Sequence, residues 1–529
     1  MDRLNPVASW TGAALTHLQK HQRIAAVQQH AQTEWLIQGA VDQINVHMRC
    51  LHGNQPERVI ELKKTSRHSF AFTHQWPSVG TFALSFSYVF KRTQYWDKHG
   101  EFMITVNPQH MDRWRTYTLV PRASGHLRDW TRDLSRIADL GFNAIHLLPI
   151  TRQDVSLSPY AATSFKEIDA AWLDPVSNVS AENQWLAFVD RAKELDLALC
   201  IDLVVNHVGL NHEVIRQHPH WVQQDVSEPD GLKRAGWKGP DGWHLWRDLA
   251  LLNYDLLPEK ERHDLWSAIA DYACYWAGFA ADTQGYVRLD NLHTTHRSFG
   301  RYLTTQLRQS YPELVLFGEV FADEDEIDQV AGSFGLNAIL ATPWEHRFAP
   351  SLRQYLKYIH NRAPHLRMFC PVGTHDSHAI PEEFGDLAST KPRIAVSALF
   401  GAGPWGIPQG LEYAVSSRIP FIGSPLPYDH WGSMDPEIAS YIQRVNQLLA
   451  RYHVFSVPGN LEFVDGDHVA VLAGIRIHES GSFLVLANLD ILQGHRLHLE
   501  LPITGACLLS GASFSHQVPP GATRVFPLS

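Results

Sequence analysis

ALCIDLVVNH, residues 198–207, begins as an unbroken apolar run and closes on Asn206 and His207. A strand that is apolar on both faces belongs inside a parallel sheet covered by helices. Its polar end belongs at the strand's C-terminal edge, where barrel enzymes build their sites. The same texture recurs on either side of it. Upstream lie YTLVP (117–121) and NAIHLLPI (143–150). Downstream lie GYVRLDN (285–291), LVLFGEV (314–320), LNAILA (336–341), MFCPVG (368–373) and WGIPQG (405–410). Between them run stretches with helical spacing, such as HLRDWTRDLSRIADLG, NQWLAFVDRAKEL, LWSAIADYACYWAG and RSFGRYLTTQLRQSY. Eight strand-and-helix units predict an α/β fold, a (β/α)8 TIM barrel, over 116–453. A doubly wound open sheet also alternates strand and helix, but it gives no reason for eight units that each end in polar residues.

Outside that span the texture changes. Residues 1–115 contain short alternating runs such as FALSFSYVF (82–90), which predict an N-terminal β domain that either binds carbohydrate or shields the barrel. Residues 454–529, with HVAVLAGIRI and SFLVLANLD, predict a small C-terminal antiparallel β domain. The longest insertion, at about 208–255, follows the third strand and carries Trp221, Trp237, Trp243 and Trp246. Two of these four are expected in a small core and two in a sugar-facing wall.

Composition narrows the partners. Against 45 Lys and Arg stand 55 Asp and Glu, a net charge of −10, which argues against a phosphate-backbone partner and so against nucleic acid. Five cysteines, far apart and without a CxxC pair, fit a reducing compartment and no disulfide framework. No run of about 18 apolar residues predicts a membrane span, and the first twenty residues lack a basic segment followed by an apolar one. The expectation is a cytoplasmic protein with no membrane partner. Oligomeric state has no signature in the chain.

Polar residues at the strand ends fall into an order. The third strand ends Asp202 to Asn206-His207, the fourth Arg288-Leu-Asp290-Asn-Leu-His293, the fifth Gly318-Glu319, and the seventh Thr374-His375-Asp376. Retentive cleavage of a glycoside needs two carboxyl groups about 5 Å apart, a separation that adjacent strands can deliver. Asp290 and Glu319 are that pair. Residues two apart on a strand share a face, so Arg288 is expected to hold Asp290 ionised. Glu319, flanked by Phe317 and Val320, is expected in an apolar setting that favours a general acid. His207, His375 and Asp376 would grip sugar hydroxyls.

DLVVNH, GYVRLDNLH, LFGEV and VGTHD resemble, in order and placement, the four short sequence regions of the α-amylase family of glycoside hydrolases. SPYAATSFKEID (158–169) is similar to that family's loop after the second strand, and GPWGIPQGLEY (403–413) to its eighth-strand segment. VRLDNLH, FGEVF and THD, together with PRASGHLRDWTRDL before GFNAIHLLPI, most resemble the glucanotransferase half of glycogen debranching enzymes. The resemblance implies Asp290 as nucleophile, Glu319 as general acid/base and Asp376 as the third carboxylate. It implies Arg288, His207 and His375 as their partners and Tyr160 as the platform beneath the sugar; Asn206 and His293, at the ends of the third and fourth strands, are further substrate-side candidates. It also implies a 4-α-glucanotransferase acting on α-1,4-glucans or malto-oligosaccharides. The alternatives are an α-amylase-type hydrolase of the same substrates and a non-catalytic glucan-binding barrel.

Two positions depart from the family pattern: Thr374 stands where many amylases have Asn, and Leu292-His293 where they have Lys-His. Both touch the acceptor side. In many relatives an Asn at the position of Asn206 helps hold calcium, yet acidic partners are not evident in the loop that follows. No cofactor and no metal is expected, calcium being the single candidate. A phosphate-dependent transferase on this fold would need a basic cluster at the mouth, and none is evident in the sequence.

Overall fold

The computed structural model describes residues 5–10, 24–52, 56–97, 100–239, 242–464 and 466–529. Its centre is a closed eight-stranded parallel barrel. The strands are β1 (Arg115–Leu119), β2 (Ala144–Leu147), β3 (Ala198–Leu203), β4 (Tyr286–Leu289), β5 (Val315–Gly318), β6 (Ala338–Leu340), β7 (Arg367–Pro371) and β8 (Trp405–Pro408), and β8 pairs back onto β1. After each comes a helix: α1 (Leu127–Asp139), α2 (Ala181–Glu194), α3 (Glu259–Ala281), α4 (Arg297–Ser310), α5 (Glu324–Phe334), α6 (Ala349–Arg362), α7 (Thr390–Leu399) and α8 (Pro436–Arg451). All eight expected strands are present. Every strand except β1, which is equally long but starts two residues earlier, is shorter than the apolar run that predicts it, because the polar end leaves the ladder to form the rim.

Local sequence sets the helix boundaries. Ser180 accepts a hydrogen bond from the Asn183 amide to start α2, and Asp323 does the same for α5 through Glu326. Gly335, at φ 63°, ends α5 in the left-handed conformation. Large side chains plug the barrel: Trp114, Tyr286, Phe317 and Phe369 pack with Ala144, Ala198 and Ala338. Trp114 stacks on Tyr286 with centroids 4.3 Å apart. The floor of the barrel is therefore dry, and chemistry is confined to its C-terminal mouth.

Ahead of the barrel, two sheets enclose a separate apolar core built on Trp35, Trp76, Phe70 and Phe86. One sheet has four strands and the other six. After the barrel, strands Leu461–Phe463, Val471–His478, Gly481–Asn488 and Thr523–Leu528 form an antiparallel sheet against α7. The insertion after β3 folds into three antiparallel strands, His207–Gly209, Arg234–Gly239 and Gly242–Leu251. Within it Trp221 is buried and Trp246 packs on Ala161, Ala235 and Leu249, whereas Trp237 and Trp243 stand exposed. Among the described residues no helix is long and apolar enough to cross a membrane.

Candidate active site

Parallel register places Asp202 of β3 directly beside Arg288 of β4. Two opposite charges in otherwise apolar strands thereby meet on the inward face. Arg288 is almost wholly buried, and its guanidinium reaches three carboxylates. Nη1 donates to both oxygens of Asp202 at 2.7 and 2.6 Å and to Asp290 Oδ1 at 3.1 Å, while Nη2 donates to Glu319 Oε1 at 2.5 Å. One planar cation thus fixes the third-, fourth- and fifth-strand carboxylates relative to one another.

Backbone geometry delivers Glu319. A Cβ on Gly318 would lie 2.6 Å from the Leu336 side chain and 3.1 Å from Leu292, so only glycine lets β5 approach closely enough. Asn291 is left-handed at φ 45°, which turns its amide onto Glu319 Oε2 at 3.1 Å. The Glu319 carboxylate therefore lies among donors, contrary to the apolar setting expected from its neighbours. Phe317 points into the barrel floor and Val320 into the surrounding core, so neither packs on the carboxylate in the way their sequence adjacency suggested.

Charge at Asp290 also differs from expectation. Burial pushes its carboxyl well above the ordinary range, the nearby Glu319 charge adds to this, and Arg288 only partly opposes them. Arg288 makes its shorter bonds to Asp202 and Glu319, which explains why it does not hold Asp290 low. Asp202, by contrast, falls to about 2: burial would raise it, but Arg288 and then His146 outweigh that effect.

A second arm joins the seventh strand to the same hub. Tyr160 Oη donates to Asp202 Oδ2 at 2.9 Å and lies 2.8 Å from His375 Nε2, with the two rings parallel at 5.5 Å. His375 Nε2 is 3.0 Å from Asp376 Oδ2, and Arg418 is 3.6 Å from Asp376 Oδ1. Against a burial effect that would raise it, His375, Arg288 and Arg418 bring the Asp376 carboxyl below its usual range. The Asp376 side chain is half exposed, open to whatever enters the mouth.

Other expected residues take lesser places. His207 is buried 5.7 Å from the Trp246 ring, and burial holds its imidazole down at about 4, so it is neutral at pH 7. His293 sits edge-on to the exposed Phe321; burial lowers it, with Glu319 opposing. Asn206 donates to Thr294 Oγ1 at 2.7 Å and has a buried Oδ1 without a partner. Calcium takes six to eight oxygens. With one free amide oxygen here, and among the described residues no group of three or more His, Cys, Asp or Glu placed to hold a metal, this donor set does not make a calcium cage.

Asp202 and His146 belong to the site although the sequence assigns neither a role. Asp202 is bonded to Arg288, Tyr160 and His146, the last at 3.2 Å. The available signal was a charge at the centre of a strand that is apolar on both faces, since a buried carboxylate needs a cation opposite. Arg418, from the loop after β8, carried no signal of its own.

Residues 109–229 match the glucanotransferase domain of glycogen debranching enzyme. An α-1,4-glucan:maltose-1-phosphate maltosyltransferase of Picrophilus torridus is 20% identical over 423 residues, covering 76% of this chain and 64% of the relative, so the chain spans somewhat less than two thirds of that protein's length. An α-amylase of Lactobacillus plantarum superposes with a TM-score of 0.63 at 17% identity, over 79% of this chain and 100% of the other. A cyclomaltodextrinase superposes with a TM-score of 0.64 at 13% identity, over 97% and 99%. The two structural likenesses show a shared fold.

Proposed function

We propose that the chain is an α-amylase-family enzyme that transfers segments of α-1,4-linked glucans or malto-oligosaccharides with retention, as a 4-α-glucanotransferase. The matched glucanotransferase-domain segment, the maltosyltransferase relatives and the amylase-like fold support this reading. The observation that carries this reading is the single buried Arg288 that ties Asp290 and Glu319 into one constellation, with Asp376 on an adjoining arm. In this reading Asp290 attacks the anomeric carbon while Glu319 gives its proton to the departing glycosidic oxygen. The acceptor hydroxyl then loses its proton to Glu319 and displaces Asp290, which restores both groups.

Local charge bears on the role of Asp290. An ionised Asp290 is costly in the empty site, since burial and Glu319 both disfavour it. A positive anomeric centre beside it relieves that cost in the transition state more than in the ground state, and such a difference lowers a barrier. Asp376, kept ionised and half exposed, is suited to grip adjacent sugar hydroxyls. Neutral His207 and the Tyr160–His375 pair supply hydrogen bonds and a flat face. Trp237 and Trp243, exposed on the insertion after β3, offer flat apolar faces on which a sugar ring can stack.

Incubation with maltopentaose tests this. Products longer than the starting chain should appear before reducing ends accumulate. A rise in reducing ends in step with substrate loss, with no longer chains, would make the protein a hydrolase. The relatives' activity favours a second reading, maltosyl transfer from maltose 1-phosphate. Because Arg288 is occupied by three carboxylates, the phosphate's grip would fall to Arg418. Release of inorganic phosphate from maltose 1-phosphate in the presence of a glucan acceptor decides between the two.

A further inference from the structure

At the opposite end of the molecule, the N-terminal sheets and the barrel enclose a cavity of about 400 Å³. Helix α4 runs antiparallel to the strands, so Arg308 and Gln309 at its end lie on the N-terminal rim of the barrel, away from the mouth. They form one wall. Cys50, His52, Arg58 and His74 form the other, from the β domain.

Charge in this cleft is lopsided. Among the described residues its lining holds two arginines, two histidines and no carboxylate, in a chain whose net charge is −10. Arg308 is buried; Nη1 and Nη2 donate only to neutral oxygens, those of Leu314, Gly335 and Asn337, and its Nε has no partner. His52 is more than nine-tenths buried, and neither ring nitrogen has a partner among the described residues. Burial and then Arg308 drive the His52 imidazole down to about 2, and burial and then Arg58 lower His74. Buried cations are normally paired, and buried polar nitrogens are normally bonded. An anion seated between Arg308, His52 and Arg58 would face both guanidiniums and accept from the His52 nitrogen that carries the proton.

We propose that this cleft is a binding site for a phosphate monoester on a sugar-sized body, separate from the catalytic mouth. A dianion matches two guanidiniums with imidazoles beside them, and the cavity volume lies in the range of small-molecule sites. Phe82 and Val79 supply the apolar floor that such sites share.

The test is titration calorimetry on the full chain with glucose 6-phosphate, inorganic phosphate and glucose. Glucose 6-phosphate should bind and glucose should not. Inorganic phosphate should bind more weakly than the ester, because it leaves the apolar floor uncovered. Arg58→Ala, at an exposed position, should weaken the ester about ten-fold, and His52→Leu should do the same. Asp290→Asn saturated with maltopentaose should bind the ester as the parent does, which also separates this site from any phosphate held at the mouth. Absence of binding, binding unchanged in both cleft variants, or binding lost when the mouth is filled would each overturn the proposal.

Discussion

Arg288 and Arg476 are both buried, yet they do different work. Arg288 sits among carboxylates, and the sum of Asp202, Glu319 and Asp290 outweighs burial and raises its pKa. Arg476, in the C-terminal sheet, meets only neutral oxygens. Nε donates to Asn460, Nη1 to the carbonyls of Leu399 and Gly401, and Nη2 to those of Val454, Phe455 and Val457. Burial lowers it to about 9. The first arrangement holds charges whose balance must change during a reaction. The second fastens the end of α7 and the turn after α8 to the last sheet, and nothing near it needs to titrate. The contrast predicts that changes at the mouth act on rate and changes at the joint act on stability.

Asp290→Asn should make the largest difference. It removes the proposed nucleophile at nearly constant shape, so kcat should fall by about four orders of magnitude. The raised carboxyl costs the fold stability as pH climbs from its unfolded value through its folded one, so the same variant should melt higher at pH 7. A lower melting temperature with normal activity would erase the contrast. Arg476→Met comes next. It strands several buried carbonyls and should cost about 3 kcal/mol in denaturant unfolding, with kcat at 25 °C unchanged.

Arg288→Lys keeps the charge but loses the fork that reaches three carboxylates. Initial rates should drop about a hundred-fold (~2.7 kcal/mol), with a shifted pH profile, whereas a purely structural role would lower only the melting temperature. Acid should strain both regions. His207 at the mouth and His360 beside Arg476 are held down to about 4 and about 3, burial being the main cause. Each binds protons in the unfolded chain below about 6.5 before it does in the folded one. Stability should therefore fall as pH drops through that window, by about 1.4 kcal/mol per unit per histidine. His360→Gln should flatten this slope, as chemical unfolding at several pH values would reveal. Arg418→Ala is the mildest change: a half-exposed cation 3.6 Å from Asp376 should shift KM only a few-fold, since exposed pairs contribute ~1 kcal/mol or less.

These two regions were not equally legible in the sequence. The barrel and the order of Asp290, Glu319 and Asp376 could be read because strand period and strand-end polarity are local signals. The partners of those groups could not. That Arg288 would favour Asp202 and Glu319 over Asp290 depends on strand register, and a mis-set register moves every contact. Phe317 and Val320 misled because Phe317, on the same inward face two residues earlier, fills the barrel floor one layer beneath Glu319, while Val320 turns outward into the surrounding core. Arg476 gave no hint at all, because apart from the Asn460 side chain its partners are backbone carbonyls that every residue carries.

Retention requires that the sugar be attached covalently to Asp290 during turnover. Glu319→Gln, given an α-maltosyl fluoride whose leaving group needs no proton, should form the glycosyl-enzyme and then fail to release it. Digestion and mass spectrometry would then show maltosyl on the peptide Leu289–Arg297, at Asp290. An unmodified peptide with the fluoride fully consumed, or sugar on any other residue, would contradict the account.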